Sequence, residues 1–363
     1  MKVINTGNTY RVYDNSLVTF EGFPANVYRI NFNPMGGFFI EKYPNIEVCE
    51  KIYGVHEKKV EKVLNAFNRS DKNLGVILSG PKGIGKSLTA KLIVEEGLKK
   101  DYPVFIVDTY YPGIADYINQ IEQESIILFD EFDKTFCGKS ENRDTLSDPQ
   151  TEMLTLFDGL SVGKKLFVIT CNEIRNLNDY LVNRPGRFHY HFRFEYPSNE
   201  EIATYLQDHL DKEYWDEIDK VVKFANKVNL NYDCLRAIAF ELQNGEKFEI
   251  AIKDLNIVNT EREMFRITVK LKNGTVLKTR RSCLDLFDDE EVTVDVYSKN
   301  DYVGELMFVP SECVYNQFAG CYCADLQNTQ LEIDDEDKDN AEFKSEIDTI
   351  IIKKDYNNIH YAV

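Results

Sequence analysis

Eight consecutive residues, Gly80-Pro81-Lys82-Gly83-Ile84-Gly85-Lys86-Ser87, restrict this chain more than any other stretch. They fit G-x-x-x-x-G-K-[ST], a loop whose glycines let backbone N–H groups turn toward phosphates. The flanks match the motif. Leu74 to Ser79 reads as a short buried strand, and Leu88 to Glu96 as a helix with Leu88, Leu92 and Ile93 on one face. A helix N-terminus opening on the loop adds partial positive charge for an anion. Lys86 is expected to reach the outer phosphates and Ser87 to ligate a magnesium ion. The nucleotide-contacting set is read as Gly80, Pro81, Lys82, Gly83, Ile84, Gly85, Lys86, Ser87 and Leu88.

Around this loop, apolar runs alternate with helical or loop segments. Val104 to Val107, Ile126 to Phe129 and Leu166 to Ile169 read as buried strands, and Phe188, Tyr190, Phe192 and Phe194 alternate as a further one. Such alternation predicts an α/β fold, a P-loop NTPase with a parallel sheet flanked by helices. Before the loop, Val60, Val63, Leu64 and Phe67 make a helical apolar stripe. After the last strand, Ser198 with Glu201 forms a capping box, and three apolar helical faces follow, predicting a small all-helical lid. From about residue 258 the signals become β again; Asn273-Gly274 marks a tight hairpin and Ile347 to Ile352 a closing strand. The expected organisation is an N-terminal β-rich segment over 1–45, an α/β core over 46–198, a helical lid over 199–255 and a C-terminal mostly-β domain over 256–363. The N-terminal segment, with its Asn33-Pro34-Met35-Gly36-Gly37 turn, is compatible with a packed β element and with a partner-binding surface.

Three further places carry chemistry. The run ending at Phe129 continues Asp130-Glu131-Phe132-Asp133. A carboxylate at the end of a strand beside the phosphate loop suits Asp130 to magnesium, and Glu131 to polarising a water as general base. The next apolar run ends at Asn172, where an amide would orient that water and sense the γ-phosphate. Arg184 and Arg187, three apart, are placed to reach a neighbouring copy's phosphate rather than their own, where an arginine supplied in trans stabilises transition-state charge; a pair of ion-pairing surface arginines is the alternative.

The chain has 43 Lys+Arg against 61 Asp+Glu, a formal net charge of −18. That balance disfavours nonspecific contact with nucleic acid or anionic membranes while permitting a local basic channel. No signal peptide or membrane-spanning run is read, and the scattered cysteines (Cys49, Cys137, Cys171 and Cys234 within apparent core elements) suit reduced thiols, so a cytoplasmic location is expected, in the host if the source is viral. The Cys321/Cys323 pair has no matching metal ligands, and the acidic run Glu332 to Asp339 reads as a solvated loop.

Taken in order, the phosphate loop, the Asp-Glu strand, Asn172 and Arg184-Pro185-Gly186-Arg187 before a helical lid resemble an AAA+ ATPase, and within that superfamily the AAA group in the narrow sense. Asn183 to Phe188 is similar to that group's second region of homology, and Phe157-Asp158-Gly159-Leu160 to its intersubunit-signalling segment. The chain also looks like the AAA domain of mitochondrial respiratory-complex assembly ATPases and stand-alone ATPases of large tailed bacteriophages. The resemblance covers about residues 46–253. It implies ATP and Mg2+ as cofactors, ATP hydrolysis, and a homo-oligomeric ring, usually a hexamer, with Arg184 and Arg187 as arginine fingers. Ile52, Tyr53 and Gly54 match the adenine-pocket segment, and Tyr111 with Gly113 the first pore loop, though Pro112 departs from the usual aliphatic residue and a loop tyrosine packing on the protein's own surface is the alternative. A second pore-facing loop falls near 136–148, and neither Arg236 nor Leu235 is singled out as the lid sensor. The implied partner is a protein substrate or adaptor. A DNA-linked motor or loader is the alternative, and a nucleotide-gated scaffold a third reading.

Overall fold

The computed structural model describes residues 1–44, 46–48, 51–54, 56–136, 148–158, 163–182, 184–257, 264–316, 319–334 and 343–355. Cys49, Cys137, Asn183, Gly159, Leu160, most of the second expected pore loop and the acidic run beyond Asp334 lie outside them. The chain divides into two compact units, Met1–Pro197 with Asn231–Asp233, and Ser198–Leu230 with Cys234–Val363.

In the first unit, β1 (Lys2–Thr6) and β2 (Thr9–Tyr13) form a two-stranded sheet of their own. A second hairpin, β3 (Val27–Asn33) and β4 (Gly37–Lys42), turns where Asn33 accepts from the Gly36 amide at 3.1 Å. There follow α1 (His56–Arg69), β5 (Leu74–Ser79), α2 (Lys86–Leu98), β6 (Val104–Val107), α3 (Ile114–Asn119), β7 (Ser125–Phe129), α4 (Phe132–Thr135), α5 (Pro149–Phe157), β8 (Lys165–Cys171) and β9 (Tyr190–Arg193). The main sheet runs β4-β3-β6-β7-β8-β5-β9. All neighbours in it are parallel except β3 and β4. It is therefore mixed rather than purely parallel. The N-terminal hairpin does more than pack on the core: β3 is hydrogen-bonded to β6, with Val27 opposite Val104. Its Val27, Tyr28 and Ile30 are buried, so this strand reads to the sheet like any internal one.

The strands β5 to β8 are buried at every position, as continuous apolar runs covered on both faces must be. One face packs Phe105, Phe129, Phe132, Phe157 and Phe167; the other packs the stripe of α1 and the Leu92, Ile93 and Val94 side of α2. Burying a side chain of this size stabilises by about 1.5–3 kcal/mol. This double layer holds the C-terminal ends of β5, β7 and β8 in one row.

The second unit opens with α6 (Asn199–His209), where the expected capping box is present: Ser198 Oγ accepts the Glu201 amide at 3.3 Å and Glu201 accepts the Ser198 amide at 2.9 Å. Helices α7 (Ile218–Lys227), α8 (Tyr232–Gln243) and α9 (Phe248–Asp254) follow; α8 begins on residues of the first unit. Then come β10 (Met264–Leu271), β11 (Val276–Thr279), β12 (Ser282–Cys283), β13 (Val292–Ser298), β14 (Asp301–Phe308), β15 (Val314–Asn316), β16 (Cys321–Cys323), β17 (Gln330–Ile333) and β18 (Ile347–Lys354). They form one antiparallel sheet ordered β15-β16-β18-β10-β11-β13-β14-β17, with β12 on β10. The β10–β11 turn is the Asn273-Gly274 hairpin, and β18 lies inside the sheet between β16 and β10. Lys354 donates to Asn229 at 2.7 Å, Lys227 to the Leu286 carbonyl at 3.2 Å, and Phe224 lies 5.8 Å from Phe287. The helices and the sheet are thus joined within one unit. No helix among the described residues is long and apolar enough to cross a membrane.

Candidate functional site

The loop leaves β5 at Ser79, and its course depends on glycine. Gly80 has φ +144, and a Cβ there would stand 2.2 Å from the Phe194 carbonyl oxygen. Gly85 has φ +92, and a Cβ would meet His56 Cε1 at 2.7 Å. No other residue tolerates both the dihedral and the contact. His56 is buried there, its Nδ1 2.6 Å from the Thr89 hydroxyl and its ring stacked on Phe194 at 5.2 Å. This imidazole braces the loop from below, and nothing in the sequence pattern announced it.

Lys86 opens α2. Its amine donates to the carbonyl oxygens of Gly80 at 2.7 Å and Pro81 at 2.5 Å. Burial pushes its pKa down, opposed by Asp133, Glu131 and Asp130. Backbone carbonyls and nearby carboxylates thus hold this mostly buried cation at the mouth of the loop. Ser87 beside it is exposed, and Leu88 turns into the apolar layer under the loop.

Asp130 and Glu131 leave β7 as expected, and one residue ties them together. The Thr170 hydroxyl on β8 donates to Asp130 at 2.6 Å and accepts the Glu131 amide at 2.8 Å. Glu131 takes the left-handed conformation, φ +47, which turns its half-exposed side chain out of the strand direction. Its carboxylate pairs with Lys134 at 2.5 Å, and Asn172 Nδ2 approaches it at 3.4 Å. The Lys134 ammonium holds the Glu131 carboxyl below its usual range, helped by Asn172. Asp133 is buried, and its Oδ2 accepts the amides of Asn172 at 3.1 Å and Glu173 at 3.0 Å. It fixes the loop that presents Asn172. Sequence reasoning had no role for Thr170, Lys134 or Asp133. The Asp-Glu-x-Asp spacing and the threonine ending an apolar strand were the available signals.

Tyr53 stacks on Tyr232 with ring centroids 6.3 Å apart, next to Gly54 at φ +78. The Tyr232 amide donates to the Gly83 carbonyl at 2.9 Å, and Asn231 Nδ2 to the Lys82 carbonyl at 3.3 Å. Residues 231–232 thus touch the loop itself, a contact set by chain return and not by any local pattern.

Arg187 and Tyr111 make the contacts of the plainer of their two readings, an ion pair and packing on the protein's own surface. Arg187 is largely buried, and its guanidinium pairs with both Asp158 oxygens and donates to the Tyr180 carbonyl at 2.7 Å. Arg184 is exposed, its guanidinium 5.5 Å from the Tyr180 ring centre. The structure thus separates the pair: Arg184 faces outward and Arg187 is held in its own chain. Tyr111 lies 5.2 Å from Phe32 and 6.5 Å from Phe38, on its own hairpin, and Glu152 fastens the same loop by accepting from Tyr110 at 2.6 Å and from the Gly113 amide at 2.7 Å.

Residues 76–196 match the family model described as "ATPase family associated with various cellular activities (AAA)". Similar proteins include an "ATP-dependent zinc metalloprotease FtsH 1" from Thermoanaerobacter sp. (strain X514), 28% identical over 47% of this chain and 29% of that protein. An "AAA ATPase forming ring-shaped complexes" from Corynebacterium jeikeium is 26% identical over 38% of this chain and 30% of its own length. A "Cell division cycle protein 48 homolog" from Archaeoglobus fulgidus is 29% identical over 38% of this chain and 20% of its own. The chain therefore spans less than a third of each of these relatives.

Proposed function

From the premise that residues 76–196 are an AAA ATPase domain, for which ATP with Mg2+ is the usual ligand pair, we propose that this protein hydrolyses ATP in a homo-oligomeric ring and uses the cycle to remodel a protein. The observation that carries the reading is the Thr170 hydroxyl, which joins Asp130 and Glu131 into one rigid group beside the loop. Preorganised carboxylates of this kind cost nothing to reorganise at the moment of reaction.

In this reading the loop amides and Lys86 bind the triphosphate, Lys86 exchanging its carbonyl partners for phosphate oxygens. Ser87 and Asp130 offer the hard oxygen donors that suit magnesium, which when bound neutralises charge on the phosphates. Glu131 takes the proton of the attacking water, and Asn172 orients that water. Tyr53 and Gly54 flank the base. Arg184 is the finger offered to a neighbouring copy, and Arg187 supports the segment from which it projects. The relative named for ring-shaped complexes supports assembly, and the relative named as an ATP-dependent metalloprotease supports a polypeptide as the substrate class. A tailed-phage or assembly-ATPase kinship rests on resemblance alone.

The test is the specific ATPase activity of the purified chain against its own concentration. Shared sites require activity per subunit to rise with concentration in step with assembly mass. Full turnover by a strictly monomeric form would overturn the shared-site reading. Stimulation by unfolded protein, and pull-down with the Glu131→Gln form in ATP, would identify the substrate.

A further inference from the structure

The outward face of the C-terminal sheet carries a charge pattern opposite to that of the chain. Alternation along β10 sends Phe265, Ile267, Val269 and Leu271 into the core and leaves Arg266, Thr268 and Lys270 outside. Register then sets the neighbours: Lys353 of β18 stands opposite Arg266, Ile351 opposite Thr268, and Lys278 of β11 opposite Thr268 on the other side. Arg280 follows β11, with its guanidinium 4.5 Å above the Tyr297 ring, and Lys278 pairs with Tyr297. Arg266, Lys270, Lys278, Arg280 and Lys353 are all exposed.

Acids on these strands are few. Asp355 is spent on Arg266 and Arg281, at 3.1 and 2.6 Å, and Asp348 sits at the far end beside Lys272. The carboxylates of the face begin only at β13, with Asp295. Among the described residues, Lys270, Lys278 and Lys353 have no carboxylate within ion-pair distance. The chain's net charge is −18, yet these five cations share one sheet face. Beyond them on β14, Tyr302 is 44% exposed, its ring 6.0 Å from Tyr297 and its charged neighbours the acids Glu305, Asp295 and Asp334.

We propose that this face of β18, β10 and β11, with Tyr302 at its margin, binds single-stranded nucleic acid. Arg266 and Lys353 stand directly opposite, about 5 Å apart, Lys278 and Arg280 are two residues, about 7 Å, apart, and Lys270 lies about 13 Å along β10 from Arg266, spacings that an extended phosphodiester chain can follow. The Arg280 plane over Tyr297 and the open ring of Tyr302 offer stacking surfaces for unpaired bases. An acidic polypeptide would satisfy the cations but has no use for those planar groups, and a duplex hides its bases from them. The acidic remainder of the chain repels the strand elsewhere and confines it to this face.

The experiment is fluorescence anisotropy of a labelled 20-nucleotide oligo-dT with the full chain, over a range of salt concentrations and without nucleotide, so its outcome is independent of the ATPase reading. With four phosphate contacts, Arg266 being held by Asp355, log K should fall against log salt with a slope of about −2.8, and of about −0.7 for the triple variant Lys270→Ser/Lys278→Ser/Lys353→Ser. The triple variant should bind at least tenfold more weakly at about 0.1 M salt. Tyr302→Ala should weaken binding about tenfold with an unchanged slope. Since all four positions are exposed, circular dichroism and melting should match the wild type. Absence of binding by the wild type, or equal binding by the folded triple variant, overturns the proposal. So does equal competition by a poly-glutamate peptide or by duplex DNA.

Discussion

Arg187 grips both carboxylate oxygens of Asp158 within its own chain, while Arg184, three residues earlier, remains exposed. Two arginines that sequence spacing treats as equivalent are thereby given different tasks. Asp158 belongs to the segment resembling the intersubunit signal, so the pair ties that segment to the stretch that displays Arg184. The two should respond differently to removal. Arg187→Ala should lower the melting temperature by about 2–4 °C, since the pair is only partly desolvated and contributes about 1 kcal/mol. Arg184→Ala should leave melting unchanged and lower kcat about a thousandfold. Wild-type turnover in Arg184→Ala would end its assignment as a finger. Mixing Arg184→Ala with Glu131→Gln subunits should recover part of the activity if sites are shared.

Binding and hydrolysis should separate cleanly at two residues. Lys86→Ala removes the loop's buried cation and should abolish binding of a fluorescent ATP analogue. Glu131→Gln should keep that binding and lose at least a hundredfold in turnover, because the amide cannot accept the proton. Retained turnover in Glu131→Gln would move the general base elsewhere.

Thr170 makes a prediction of its own. Thr170→Val keeps the shape but strands the Glu131 amide and one Asp130 oxygen, whose partner it is. Leaving such groups unpaired costs about 1–3 kcal/mol. Stability should fall by that amount and kcat should fall with KM little changed, while Thr170→Ser should restore both. Steady-state kinetics with thermal melting checks the split; a variant altered only in KM would remove Thr170 from this role.

Stability should also depend on pH through His191, whose Nε2 lies 2.6 Å from the Ser79 hydroxyl. Burial, with a smaller contribution from Arg193, holds its pKa down at about 4. The unfolded imidazole titrates near 6.5, so below that pH the unfolded state binds the extra proton. This contribution is complete above about pH 6.5 and is lost progressively toward pH 4. Melting from pH 7.5 to 4.5 should therefore fall less steeply in His191→Gln than in the wild type. Parallel profiles would show that other groups govern the acid limb.

What could be read in advance follows from locality. The phosphate loop, the buried runs of β5 to β8, the α1 stripe, the capping box at Ser198 and the Asn273-Gly274 hairpin are short-range patterns fixed by backbone geometry and burial period. Asp130, Glu131 and Asn172 were legible because strand ends beside such a loop face one place. The folded chain alone decided what distant segments do to one another. It placed β3 on β6, brought Tyr232 to Gly83 across about 150 residues, set Thr170 between two carboxylates, turned Arg187 onto Asp158, and sorted cations onto one side of the C-terminal sheet. A sequence states which faces are apolar; which partner covers them, and which polar groups meet as a result, depends on strand order and register, and these are settled only when the whole core closes.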